Sequence, residues 1–217
     1  MAAVTGVNRN KAALLVIDVQ YDFLPGGALA VEHGDEILEP IASIMNTNLF
    51  GTIVATQDWH PQNHISFAGR HEGKRPLDSI QLYGHDQSLW PDHCVQNHPN
   101  ARIYEGLPLD TVDVFIRKGT NPDIDSYSAF RSNWAPDGTR PKTGLAGYLR
   151  DRGVEQVFVC GLARDVCVKW TCEDAADERF DTTILWDLSR SVDPSKDRQL
   201  KESLEQKKVR IQLIVES

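Results

Sequence analysis

The strongest constraint in this sequence is an alternation. Short, nearly continuous Val/Ile-rich runs are separated by stretches in which apolar residues recur every three or four positions. The runs are Leu14 to Val19, Thr52 to Ala55, Val112 to Ile116, Val157 to Cys160, Thr183 to Trp186 and Val209 to Val215. Because most of them run nearly unbroken rather than alternating apolar with polar, they read as buried strands, the condition of a parallel sheet. Between them lie helical patterns: Ile37, Ile41 and Ile44; Leu145 and Leu149 before Gly153; Val168 to Phe180; Leu200 and Leu204 behind Asp193-Pro194, an N-cap followed by a first-turn proline. Parallel strands need crossover connections, and crossover helices cover the sheet. The pattern predicts an α/β fold, a doubly wound three-layer arrangement around a central, mostly parallel sheet of about six strands. With 217 residues and no linker, repeat or low-complexity tract, one domain is expected over 1–217.

Composition removes several classes of function. The 31 acidic against 23 basic residues give a net charge of −8, which repels a phosphate backbone, so no nucleic-acid partner is expected. No run approaches the ~18 to 20 apolar residues of a membrane span, and the first residues lack a signal-peptide pattern. A cytoplasmic protein with no membrane partner is expected. Cys94, Cys160, Cys167 and Cys172 form no CxxC pair and read as free thiols.

One segment breaks the alternation. Residues 61–111 contain no convincing strand but carry five histidines (64, 71, 85, 93 and 98) among abundant Gly, Pro and Asn. Long loops in compact domains are usually functional or disordered. Anchors at Phe67, Leu82, Tyr83, Leu89 and Trp90 favour an ordered active-site loop. His71, His85 and His98 read as ordinary loop residues.

In open α/β sheets, ligands bind beyond the carboxyl ends of the strands. Asp18 ends one run, Asp58 and His60 follow the second, Lys118 follows the third, and Cys167 lies just past the fourth. Taken singly, each has an ordinary reading as a strand-end cap, a solvated charge or a small buried thiol. Together they supply a nucleophile, a base and a charge partner. A thiol near a helix N-terminus and a lysine is expected to ionise more readily than usual, and the backbone N–H groups there could hold an oxyanion. Asp58, His60 and, from the loop, His93 make a two-histidine, one-carboxylate set suited to Zn²⁺, Fe²⁺ or Mn²⁺. His64 is placed as a further ligand or a group just outside them.

In order, LLVIDVQYDFLPGGAL, TQDWHPQNHISFA, LWPDHCV, IRKG, YSAF and GLARDVCV closely resemble the nicotinamidase branch of the isochorismatase-like cysteine hydrolases, from about Leu14 to the last strand. The resemblance implies Cys167 as nucleophile, Asp18 as proton acceptor and donor, and Lys118 as their charge partner. It implies a metal, zinc before iron or manganese, on Asp58, His60 and His93. Phe23, Trp90 and Tyr127 would form aromatic walls, and a cis Leu162–Ala163 peptide would turn the N–H groups of Ala163 and Cys167 toward the oxyanion. The implied reaction is deamidation of nicotinamide to nicotinate through a thioester, by a homo-oligomer. The alternatives are a related hydrolase of another amide, carbamoyl or vinyl-ether substrate, and a non-catalytic metal-binding module.

Overall fold

The computed structural model of the chain describes residues 2–216. Six strands form the central sheet: β1 (Ala12–Ile17), β2 (Thr52–Asp58), β3 (Val114–Lys118), β4 (Gln156–Leu162), β5 (Asp181–Arg190) and β6 (Arg210–Gln212). Their spatial order is β3-β2-β1-β4-β5-β6, and every neighbouring pair is parallel. All six residues of β1 are buried, as a strand covered on both faces requires.

Successive β1 side chains divide between two apolar layers. Leu14 and Val16 pack with Ile37, Ile41, Ile44 and Met45, carried by a tight turn and α1 (Leu38–Met45). Ala13, Leu15 and Ile17 pack with residues of α2 (Leu145–Asp151), α3 (Lys169–Asp177) and α4 (Asp197–Gln206). Helices therefore lie on both faces, giving three layers. Asp193 caps the last crossover as its residue type suggests, accepting from the Ser195 N–H at 3.2 Å with Pro194 in the first turn. Among the described residues no helix is long and apolar enough to cross a membrane.

Three local expectations are corrected. The 61–111 segment is ordered but contains an antiparallel hairpin, Ser79–Leu82 with His85–Ser88. Its two-residue turn has positive φ at Tyr83 (52°) and Gly84 (82°), the conformation that matches hairpin twist. The run Val209 to Val215 is not one strand. Ile214 N–H donates to the Asp187 carboxylate at 2.9 Å, and Val215–Glu216 instead pairs with Ala2–Ala3. The helix expected from Val168 is preceded by a wider π-helical turn, Arg164–Val168, so Cys167 sits in that turn rather than at an α-helical N-terminus.

Candidate active site

Strand order reverses at β1 and β4, and the carboxyl ends of β3, β2 and β1 and the turn after β4 meet there, as expected for a crevice at a switch point. β1 and β4 approach closely because Gly161, with φ at +109°, has no side chain; a Cβ would fall 2.1 Å from the Ile17 carbonyl oxygen. Asp18 follows β1 with φ at +47° and is completely buried. Its N–H donates to Thr56 Oγ1 at 3.0 Å, and the Thr56 hydroxyl donates back to Asp18 Oδ1 at 2.5 Å. Lys118, also buried, places Nζ 2.9 Å from Asp18 Oδ2 and donates to Asp58 Oδ1. The same ammonium donates to the Ser126 carbonyl at 3.2 Å and lies 3.7 Å from Cys167 Sγ.

Two neighbours fix the turn that carries Cys167. Arg164 donates to Ser189 Oγ at 2.9 Å, to the Trp186 carbonyl at 3.0 Å and to Asp197 at 2.5 Å. Asp165 accepts the N–H groups of Val192 and Asp193 at 2.8 and 2.9 Å. The Leu162–Ala163 peptide is cis, and the Ala163 N–H has no hydrogen-bond acceptor among the described residues.

Burial dominates the electrostatics. It raises the Asp18 carboxyl to about 6, with the Asp58 charge adding to the rise and Lys118 opposing it. Burial also pushes the Cys167 thiol well up; Lys118 offsets part of this, and Asp18 adds to it. The expectation of a readily ionised thiol is therefore corrected, since loss of water outweighs the nearby ammonium. Asp58 is held below the usual range because Lys118 and His60 overcome its burial. Burial lowers Lys118, but the two carboxylates more than compensate and keep it charged. When Asp18 ionises, two carboxylates share one ammonium, and the cluster is short of positive charge.

A cation site adjoins this cluster. Asp58 Oδ2 lies 3.6 Å from His60 Nε2 and 3.9 Å from His93 Nε2. The outer ring nitrogens face carbonyls, His60 Nδ1 at 3.0 Å from Gly119 O and His93 Nδ1 at 2.8 Å from Pro91 O. A carbonyl only accepts, so each Nδ1 carries hydrogen and each Nε2 can present a lone pair inward. Two imidazoles, a carboxylate and a local deficit of positive charge fit a divalent metal ion. Gly119, with φ at +60°, makes room, since a Cβ there would come within 2.2 Å of the His60 ring. His64 stacks on His60 at 4.1 Å, but its nitrogens face Ser66 Oγ (2.7 Å) and the Ile124 carbonyl (3.4 Å), which places it outside the three. Burial and the neighbouring His60 lower both His64 and His93 to about 4.

These groups border a narrow cleft, part of it open to solvent. Phe23, Trp90 and Tyr127 line it, together with Ala163, Cys167 and the three metal-capable residues. Sequence reading did not single out Leu29, Val166 and Val192, which supply further apolar wall, or Asp125, a buried acid on the same wall. Thr56, Gly119 and Gln20 also escaped it. Gln20 accepts the Asp58 N–H at 2.7 Å and donates to the Asp58 carbonyl at 2.9 Å; its only signal was its place two residues after Asp18. Cys94, which follows His93, turns away from the cleft. Its φ is +47°, and its sulfur accepts from Gln20 at 3.3 Å within the first apolar layer.

Residues 12–213 match the isochorismatase domain. A nicotinamidase of Acinetobacter baylyi is 47% identical over 184 residues, covering 85% of this chain and 83% of its own. The crystal structure of PnC1 from L. infantum in complex with nicotinate superposes with a TM-score of 0.83 at 36% identity, covering 99% of this chain and 100% of that one. The pyrazinamidase of Pyrococcus horikoshii in complex with zinc superposes at 0.73 and 36% identity, covering 94% and 99%.

Proposed function

The chain belongs to the isochorismatase domain family, and from that premise we propose that it deamidates nicotinamide to nicotinate and ammonia. The observation that carries the reading is the place of Lys118 Nζ, 2.9 Å from Asp18 and 3.7 Å from Cys167 Sγ, behind a thiol that lines the same cleft as the metal-capable residues. Relatives named nicotinamidase and a structural neighbour solved with nicotinate support the substrate.

A protonated thiol beside a carboxylate raised to about 6 makes proton transfer and attack one concerted problem. Asp18 accepts the Cys167 proton as Sγ bonds to the amide carbon, and the carbonyl oxygen takes the electron pair. The N–H groups of Ala163 and Cys167 are the candidate donors to that oxygen. Protonated Asp18 then gives its proton to the amide nitrogen, the C–N bond breaks, and ammonia leaves behind a thioester. Asp18, ionised again, takes a proton from water as the water oxygen attacks. The C–S bond breaks, Asp18 returns that proton to the Cys167 sulfur, and the carboxylic acid leaves as nicotinate, its proton passing to solvent. Lys118 stays charged throughout, opposing the burial that would otherwise lock the Asp18 proton in place.

Asp58, His60 and His93 would hold a divalent ion, zinc foremost, which would supply a Lewis-acid seat for the pyridine nitrogen. Phe23, Trp90 and Tyr127 confine the ring and Cys167 meets the carboxamide, which is the proximity contribution. Four unpaired thiols suit a reducing, cytoplasmic setting. The test is ammonia release from nicotinamide by purified protein, with metal content measured on the same sample. Equal yields of ammonia and nicotinate are expected. Folded, metal-loaded protein that releases neither overturns the reading.

A further inference from the structure

The Ser79–Ser88 hairpin is solvent-exposed or half-buried at every strand position except Gln87. That one side chain reaches inward. Gln87 Nε2 donates to Asp125 Oδ2 at 2.7 Å, to the Tyr127 hydroxyl at 2.9 Å and to the Ser88 carbonyl at 2.8 Å. Trp90 Nε1 donates to the same Tyr127 hydroxyl at 3.2 Å. Three cleft-lining residues, Trp90, Asp125 and Tyr127, are thus joined in one network centred on a residue that does not itself line the cleft. The hairpin has a second tie in His85, whose ring stacks on Trp134 at 4.0 Å. Asn133 reinforces the join, accepting the Tyr127 N–H at 3.3 Å and donating to Gln87 Oε1 at 3.5 Å.

We infer that the hairpin is a clasp and Gln87 a positioning residue that fixes the Trp90–Asp125–Tyr127 wall, so that it governs how tightly a planar heteroaromatic amide is held rather than how fast its bond is broken. The argument is one of geometry. Gln87 is the donor that the carboxylate and the phenol share: without it Asp125 keeps only the Ser126 N–H, on Oδ1 at 2.8 Å, and Tyr127 only Trp90, and a buried carboxylate oxygen left without a donor draws in water or swings toward solvent. Either movement widens the slot for the ring. Asp18 and Cys167 are held by other residues, and Lys118 keeps its ties to Asp18 and Asp58 even if the Ser126 carbonyl shifts with the wall.

The test compares wild type with Gln87→Leu, which keeps the bulk but removes the donors, and Gln87→Glu, which keeps the shape but sets a second acid against Asp125. The KM arm rests on the deamidation reading. For Gln87→Leu we expect KM for nicotinamide to rise about tenfold with kcat changed less than about threefold, as loss of binding alone requires. Gln87→Glu should be worse at pH 8 and recover toward the Leu variant as the pH falls. The second arm needs no turnover. Iodoacetamide should alkylate Cys167 about fivefold faster in Gln87→Leu, because access to the thiol improves. If wild type does not deamidate nicotinamide, the functional reading falls and alkylation alone judges the clasp. A folded Gln87→Leu protein with unchanged KM, or with an unchanged Cys167 alkylation rate, overturns the inference. So does a fall in kcat at constant KM.

Discussion

Asp18 has to accept a proton to start the proposed reaction and give it up to expel ammonia, and burial to a pKa of about 6 suits both tasks. Above that pH the ionised acid is available to the thiol; below it the carboxyl is already protonated and cannot accept. The acid limb of kcat/KM is therefore expected near pH 6, falling as pH drops, since this profile reports the free enzyme. A profile flat down to pH 4 would remove Asp18 from the role of base. Asp18→Asn should fold and bind metal but lose about 10² to 10⁴ in kcat, the usual worth of a placed base. Gly119 offers a test of the metal site that replaces no ligand. Gly119→Ala drives a methyl into His60 and should weaken metal binding by about 10- to 100-fold, the scale of lost ligand support. Titration against a competing chelator reads it, and a dissociation constant within twofold of wild type would show that His60 has room to spare.

At the scale of elements, legibility tracks how local the code is. The inner strands were readable because burial on both faces writes itself as nearly continuous apolar letters, the edge strands β3 and β6 less so because one side of each meets solvent, and the turn into α4 because Asp193-Pro194 is a cap in adjacent letters. The hairpin was not, because its strands are polar and its Tyr83–Gly84 turn lacks the usual Asn-Gly. The π-helical turn had no signal either. It is held by partners 22 to 33 residues downstream, with Arg164 bound to Trp186, Ser189 and Asp197. The spacing of Asp58 and His60 was visible locally, whereas Asp125 had nothing to mark it, being one more acid in GTNPDIDS. If the turn depends on these downstream contacts, Arg164→Ala should cost about 3 kcal/mol, typical of breaking a buried ion pair with several hydrogen bonds. Urea unfolding at pH 7 measures this, and a loss below about 1 kcal/mol would mean the turn holds its own shape.

At the scale of the whole molecule, the buried Asp18–Lys118–Asp58 cluster links folding to the proposed cation. An ion that binds only the folded chain stabilises it by about 2.7 kcal/mol at 100 times its dissociation constant, which for this size is roughly a 5 to 11 °C rise in melting temperature. Calorimetry with and without chelator should show that rise, and Asp58→Asn should abolish it; equal melting temperatures would detach the cluster from any metal. The strand order has a quite different consequence, in time. β1 sits between β2 and β4, and Ala12 pairs with Gln156, 144 positions later. At ribosomal rates of about 5 to 20 residues per second, the most apolar strand of the protein waits roughly 7 to 30 s for its second neighbour. During synthesis the centre of the finished sheet is therefore an open edge, and what shields nascent β1 in that interval decides how much of the chain survives to fold.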